Sequence, residues 1–247
     1  MDLKKNRPLI IALSAGILGF CLRLVLYRTG FDEKNILSAS HPLHLLCLIL
    51  TVIATALLAR AVKGLPAVSQ SHPLLRFILG TAAGSFLLLH GVLLYRQIAA
   101  PLGLIHCALT VLAGIAMVVC VFPAEQSPRV SAVCHGIVCV GFAGDMLGRY
   151  QAWSGNPQLP DYVFHVLAGV ALSLTAYQTL ALHTELGSPK WQKFWGFSSL
   201  FLCLMCLAGP EPWEFYLGGA LWAGVCLLTV LPPEEPLSRE EETDVSA

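Results

Sequence analysis

The chain has 247 residues and a formal net charge of zero; 56% of its residues are hydrophobic and 12% are charged, and its mean hydropathy is +0.70. Such a chain is solvated by lipid rather than water, and nothing in its charge balance points to nucleic acid. At about 20 residues per span, the length holds seven to nine membrane helices and leaves no room for a soluble domain.

Lys4, Lys5 and Arg7 precede an apolar run that continues to about Leu26. That is too long for a cleaved leader, so residues 8–27 are expected as an uncleaved first span. The spans that follow are expected at 42–62, 74–95, 101–122, 130–150, 162–181, 194–209 and 215–231, the seventh rather short. The expected fold is all-α: a polytopic helical membrane bundle of about eight transmembrane helices. Residues 1–233 form one integral membrane domain, and the acidic 234–247 is expected to be a disordered cytoplasmic tail.

Lys and Arg set the orientation. Lys4, Lys5, Arg7, Arg60, Lys63, Arg76, Arg129, Lys190, Lys193 and Arg239 fall on the N-terminal side of the spans; Arg28, Lys34, Arg96 and Arg149 fall on the other. Both termini are therefore expected in the cytoplasm, with the protein in the plasma membrane. Trp191 and Trp195 read as an inner interfacial belt, and Trp153, Trp213 and Tyr216 as an outer one.

The odd spans end on an aromatic–arginine pair: Tyr27-Arg28, Tyr95-Arg96 and Arg149-Tyr150. A loop follows, then a proline opening the next span and a histidine in its first turns: Pro42 with His44, Pro101 with His106, Pro160 with His165. The pattern reads as three repeated hairpins, as in transporter folds. The fourth, around Glu211-Pro212-Trp213-Glu214, lacks the Arg and His.

Ionisable groups inside spans are costly, and they mark the candidate ligand-binding residues: Arg23, His44, His90, His106, Asp145, Arg149 and His165. Arg23 lies about one turn inside the outer end of the first span, on a face shared with Gly16, Gly19 and Tyr27. That face suits helix packing, and Arg23 is either a snorkelling side chain or part of a site. Asp145 and Arg149 stand four apart with the acid first, the favourable orientation for an ion pair on one helix face. Gly141, Gly144 and Gly148 flank them and would admit a helix or a ligand. The pair is either a structural bridge or a proton-accepting, substrate-orienting carboxylate held by Arg.

His44, His90, His106 and His165 sit at matched depth near the outer side, where imidazoles can relay protons, bind a quinone or ligate a cofactor. His41, His72 and His183 carry no assignment, and His135 lies apart in the inner half of the fifth span. Asp32, Glu33, Asp161, Glu211 and Glu214 line the outer loops and are expected to be solvated.

The nine cysteines all fall in apolar segments and read as small hydrophobes, not as a disulfide framework. Cys203 and Cys206 have C-x-x-C spacing in what reads as a lipid-facing helix, but no second pair completes a metal site. No metal is expected. No haem is expected either, because the spans bearing His90 and His106 lack a shared small-residue groove for a porphyrin.

The run Ala143-Gly144-Asp145-Met146-Leu147-Gly148-Arg149 resembles the A-G-E-x-x-G-R element of membrane-anchor subunits of the dimethyl-sulfoxide-reductase type. Those anchors are eight-span helical proteins of similar size. They pass electrons from membrane quinol to an extracytoplasmic iron–sulfur partner and carry no haem. The resemblance implies that Asp145 and Arg149 lie near a quinol site and a partner redox subunit. Here Asp stands for Glu, and the element lies in the fifth span rather than near the C-terminus. Three functions remain open: a quinol-interacting anchor of a redox complex, a small-solute transporter or sensor, and a lipid-acting membrane enzyme or assembly factor.

Overall fold

Proline opens five of the helices, at Pro42, Pro73, Pro101, Pro128 and Pro189. The first turn of a helix has no internal partner for its N–H groups, so a residue without one costs nothing there. Between these starts the apolar runs have helical length and no strand-like alternation. In the computed structural model they form eight α-helices: α1 Leu3–Thr29, α2 Pro42–Val62, α3 Pro73–Tyr95, α4 Pro101–Val121, α5 Pro128–Trp153, α6 Leu159–His183, α7 Pro189–Cys206 and α8 Trp213–Leu227. The structure describes residues 3–30, 41–63, 65, 73–96, 101–122, 127–153, 159–209 and 212–228, and among these there is no strand. The acidic tail, His72, Asp32, Glu33, Glu211 and the side chains of Trp153 and Asp161 lie outside what is described.

Six helices, α1 to α6, contain a segment long and apolar enough to cross a membrane. They carry the lipid-type surface: Ile17, Val52, Leu74, Ile105, Val133 and Leu147 are all exposed. The other two are shorter. With 18 and 15 residues, α7 and α8 reach about 27 and 22 Å, against a hydrocarbon layer of about 30 Å. Both are packed inside the protein. α3, α4, α5, α6, α7 and α8 neighbour one another in sequence order, and α8 closes back on α3. The α1–α2 hairpin packs on the outside of α7.

The helix boundaries differ from the sequence expectation where prolines sit. α1 begins at Leu3 with Pro8 inside it. A proline this close to a helix start removes only one early hydrogen bond. α7 begins at Pro189 and ends at Cys206, earlier at both ends than expected. Pro189 suits a first helical position, and Pro210 disfavours helical backbone just before it. The placement of α7 corrects a second reading. Cys203 and Cys206 do not face lipid; both are fully buried at the core of the bundle.

The three aromatic–arginine pairs end in unlike surroundings. Tyr27 and Arg149 turn inward, while Arg28, Tyr95, Arg96 and Tyr150 are exposed.

Close helix approach depends on glycine at α3–α4. A Cβ at Gly84 would come within 2.5 Å of Val118 Cγ2 and 2.7 Å of the Gly114 carbonyl oxygen. Backbone cannot move aside as a side-chain tip can, so the helices would have to separate. Gly84→Val should therefore destabilise the protein by about 1–3 kcal/mol, the usual cost of overpacking. Gly224→Ala is the matched control, since its Cβ would meet only Leu79 Cδ1 at 3.6 Å. Thermal unfolding in detergent should show a clear loss for the first substitution and little change for the second.

Candidate functional site

Antiparallel helices place the ends of odd elements beside the starts of even ones. Arg23 and Tyr27 near the end of α1, His90 near the end of α3, and Asp145 and Arg149 near the end of α5 thus share a level with His44, His106, His165 and Glu214 near the starts of α2, α4, α6 and α8. This level lies at the face of the bundle distal to the N-terminus.

Asp145 is the centre of one cluster. Arg149, one turn further along α5, donates from Nε to Asp145 Oδ2 at 2.5 Å and from Nη2 to Oδ1 at 3.3 Å. His106 Nε2 lies 2.8 Å from Oδ1, and His90 Nε2 lies 3.3 Å from the same oxygen. Two carboxylate oxygens offer about four lone-pair sites, and these contacts fill them. On its far side, His90 Nδ1 is 3.3 Å from Glu214 Oε1. The guanidinium of Arg149 also lies over the Phe215 ring, 4.6 Å from its centroid.

His90 is the hinge of this set. Its Nε2 faces both Asp145, which only accepts, and Arg149 Nη2 at 3.2 Å, which only donates. With the proton on Nδ1, the ring donates to an ionised Glu214 and accepts from Arg149. With the proton on Nε2, it donates to Asp145 and accepts from a protonated Glu214. The two arrangements use the same atoms, and the second holds one proton more than the first. Glu214, His90, Asp145 and His106 therefore form a continuous line of alternating carboxylate and imidazole.

Arg23 is the centre of a second cluster. Its Nη2 donates to the Tyr27 hydroxyl at 2.6 Å and lies 3.0 Å from His165 Nε2. His165 Nδ1 is 2.6 Å from the Tyr216 hydroxyl, and the Tyr216 ring centroid is 5.7 Å from the Arg149 guanidinium carbon. Tyr216 thus joins the clusters. Arg23 also lies over Phe164 at 5.0 Å, and His44 meets the same Phe164 ring edge-on at 5.6 Å. His44 borders the Arg23 cluster without entering the carboxylate line.

All of these side chains are buried except Tyr27, which is half-buried, and His106, which keeps 14% of its surface. Its neighbours Leu104, Ile105 and Leu147 are exposed apolar residues of the lipid-type surface. Gly148 makes room for the ring, because a Cβ there would sit 2.6 Å from His106 Nδ1. Gly141 and Gly144 admit Ala113 and Leu109 of α4 in the same way, so the glycine face of α5 receives a helix.

Two residues expected at the outer rim lie instead in the core. Glu214 is buried against His90 rather than solvated, and Tyr216 is buried between His165 and Arg149 rather than anchoring at the interface. Both sit in the first turn of α8. A Trp-Glu-Phe-Tyr run looks interfacial until α8 is known to be enclosed by other helices.

No protein-family model matches the chain, and no curated protein or solved structure matches it either.

Removing one partner of a buried ion pair leaves the other charge uncompensated, at about 3–5 kcal/mol. Asp145→Asn should therefore sharply lower the melting temperature, and adding Arg149→Met should recover much of the loss. If the double variant is no more stable than Asp145→Asn, the two residues do not act as a pair. Gly148→Ala should push the His106 ring off Asp145 with a smaller loss, read in the same melting assay.

Proposed function

We propose that this multi-pass membrane protein exchanges protons with a lipid-soluble hydroxylated ligand of the quinol class, bound at His106. The observation that carries the reading is the line His106–Asp145–His90–Glu214, open at one end only. A proton taken by His106 can be matched further along the line, because the Glu214–His90 pair has an arrangement that holds one proton more. The open end sits beside Ile105 and Leu147, which are 57% and 60% exposed, so a ligand would arrive from the hydrocarbon. The resemblance of residues 143–149 to quinol-oxidising anchors supports the same chemistry.

In this reading the hydroquinone becomes the quinone as its two O–H bonds break. One proton is held by His106 and the other by the Glu214–His90 pair until the quinone departs, and both are then released at His106, the open end of the line. The two electrons pass to an extracytoplasmic iron–sulfur subunit. All eight helices cross the plasma membrane, both termini are cytoplasmic, and the site is extracytoplasmic. No haem is assigned to the site in this reading. A lipid-acting enzyme is the second reading, favoured by the same lateral opening. A small-solute transporter finds less support, since the hairpins hold their matched residues in unlike surroundings.

The test is a titration of the purified protein with a fluorescent hydroxyquinoline N-oxide, a quinol analogue. Saturable quenching is expected, weakened about tenfold or more in His106→Leu, as for loss of a hydrogen bond to a charged group. No Soret band should accompany it. Absent binding, or binding indifferent to His106, removes the quinol reading; turnover of a phospholipid that needs Asp145 would establish the second. Orientation is tested separately. An alkaline phosphatase fusion after Trp153 should be active and one after Lys63 inactive; the reverse pattern would invert the topology.

A further inference from the structure

The N-terminal half of the bundle holds a second group of polar side chains that the proton chemistry above does not use. His135 of α5 is fully buried, and neither of its ring nitrogens has a hydrogen-bond partner. Its ring stacks on His183 of α6 at 5.3 Å with the planes 16° apart. On another side it lies 5.2 Å from the indole of Trp222 of α8, whose Nε1 is also unpartnered. Arg76 of α3 acts electrostatically on both imidazoles. Its Nη2 donates to the Cys120 carbonyl at 3.3 Å, its Nε has no partner, and no carboxylate among the described residues pairs with it. Buried donors are rarely left unused, and a cation at the membrane edge without a counter-ion is costly.

His183 connects this group to the outside. It lines a cavity of about 570 Å³ together with Ser127 and Arg129 at the start of α5 and Thr184 and Glu185 beyond the end of α6. α5 has 26 residues, so the positive end of a long helix dipole faces the cavity. The negative end of α6 is blunted, because its last carbonyls accept from the amides of Thr184, Glu185 and Leu186. Ser131 lies just behind, its hydroxyl 3.0 Å from His183 Nε2. The wall thus offers a guanidinium, an imidazole, hydroxyls and a helix N-terminus, with Arg76 and His135 behind it. Glu185 is the one carboxylate among the described lining residues, and it is exposed.

We propose that this cavity binds a phosphate group, with Arg129, His183 and Ser127 as its direct contacts, since the Ser127 hydroxyl accepts from the Val130 amide and keeps its hydrogen, whereas Thr184 already donates to the Ala181 carbonyl. A tetrahedral anion with several acceptor oxygens can engage donors that converge from different elements. A cavity between helices at the cytoplasmic edge that offers a guanidinium, an imidazole and a helix N-terminus also suits an anionic lipid headgroup. The phosphate belongs either to such a headgroup or to a free anion. The inference does not depend on the quinol reading, since the two sites share no residue.

The purified full-length protein is titrated with inorganic phosphate and, separately, with dioctanoyl phosphatidylglycerol, following its melting temperature. A saturable rise with at least one is expected. A rise with the lipid alone assigns a headgroup site; a rise with inorganic phosphate assigns a site for the free anion. Arg129→Gln should weaken the apparent affinity about tenfold, the loss expected for one charge-assisted hydrogen bond, and His183→Asn should weaken it by a smaller factor. Glu185→Gln should strengthen it by removing a like charge from the rim. Arg129 and Glu185 are exposed, so these two variants keep the fold even if His183→Asn does not. No saturable rise with either probe overturns the proposal, and so does a rise that Arg129→Gln and Glu185→Gln leave unchanged.

Discussion

A charged side chain within hydrocarbon has to find its partners inside the protein, because lipid offers none. In this chain that constraint falls on Asp145, Arg149, Arg23 and Glu214. Asp145 and Arg149 answer it within one helix, but the carboxylate has lone pairs to spare, and His90 and His106 complete it from α3 and α4. Arg23 answers it through Tyr27, the ring of Phe164 and His165 of α6. Tyr216 then bridges the two sets. The distal ends of α1, α3, α4, α5, α6 and α8 are held at one level because their polar groups complete one another.

Enclosing α7 and α8 makes this possible. A helix surrounded by protein can carry polar residues that a lipid-facing helix cannot, and these two carry Gln192, Ser198, Ser199 and Glu214, all buried. Several are satisfied across helix contacts: Ser199 with Thr175 at 2.8 Å, and Gln192 with the Cys226 carbonyl. The six helices around them carry the exposed Leu, Ile and Val surface. The six outer helices also hold buried polar groups, Arg23, His90, Asp145, Arg149 and His165 among them, on the faces that meet their neighbours.

The two polar ends of the bundle are separated by a largely apolar layer, interrupted by the Thr175–Ser199 hydrogen bond. Val138 and Phe142 of α5, Ala168, Ala171 and Leu172 of α6 and Phe201 of α7 are buried and apolar. His135 and Asp145 lie ten residues apart on α5, about 15 Å along the axis. No described hydrogen bond links the carboxylate line to His135 or His183. The proton exchange proposed for the distal site and the anion binding proposed for the proximal one would therefore be separate chemistries on one scaffold.

The membrane class, the helical runs and the identity of the costly residues were legible in the sequence, because cost in lipid is a property of each residue type alone. So was the matched depth of His44, His90, His106 and His165, since antiparallel spans of fixed rise bring ends beside starts. The pairing of Asp145 with Arg149 followed from their i,i+4 spacing. What the sequence could not express is which helices are enclosed. α7 and α8 look like other apolar segments, yet their burial turns Glu214 and Tyr216 from rim residues into members of the network, and brings Cys203 and Cys206 into the core. The stack of His135 on His183 was equally invisible, because it joins two helices at a depth where only packing decides which faces meet. Local chemistry and helical periodicity are written along the chain; enclosure and partner choice arise only when eight helices compete for the same interior.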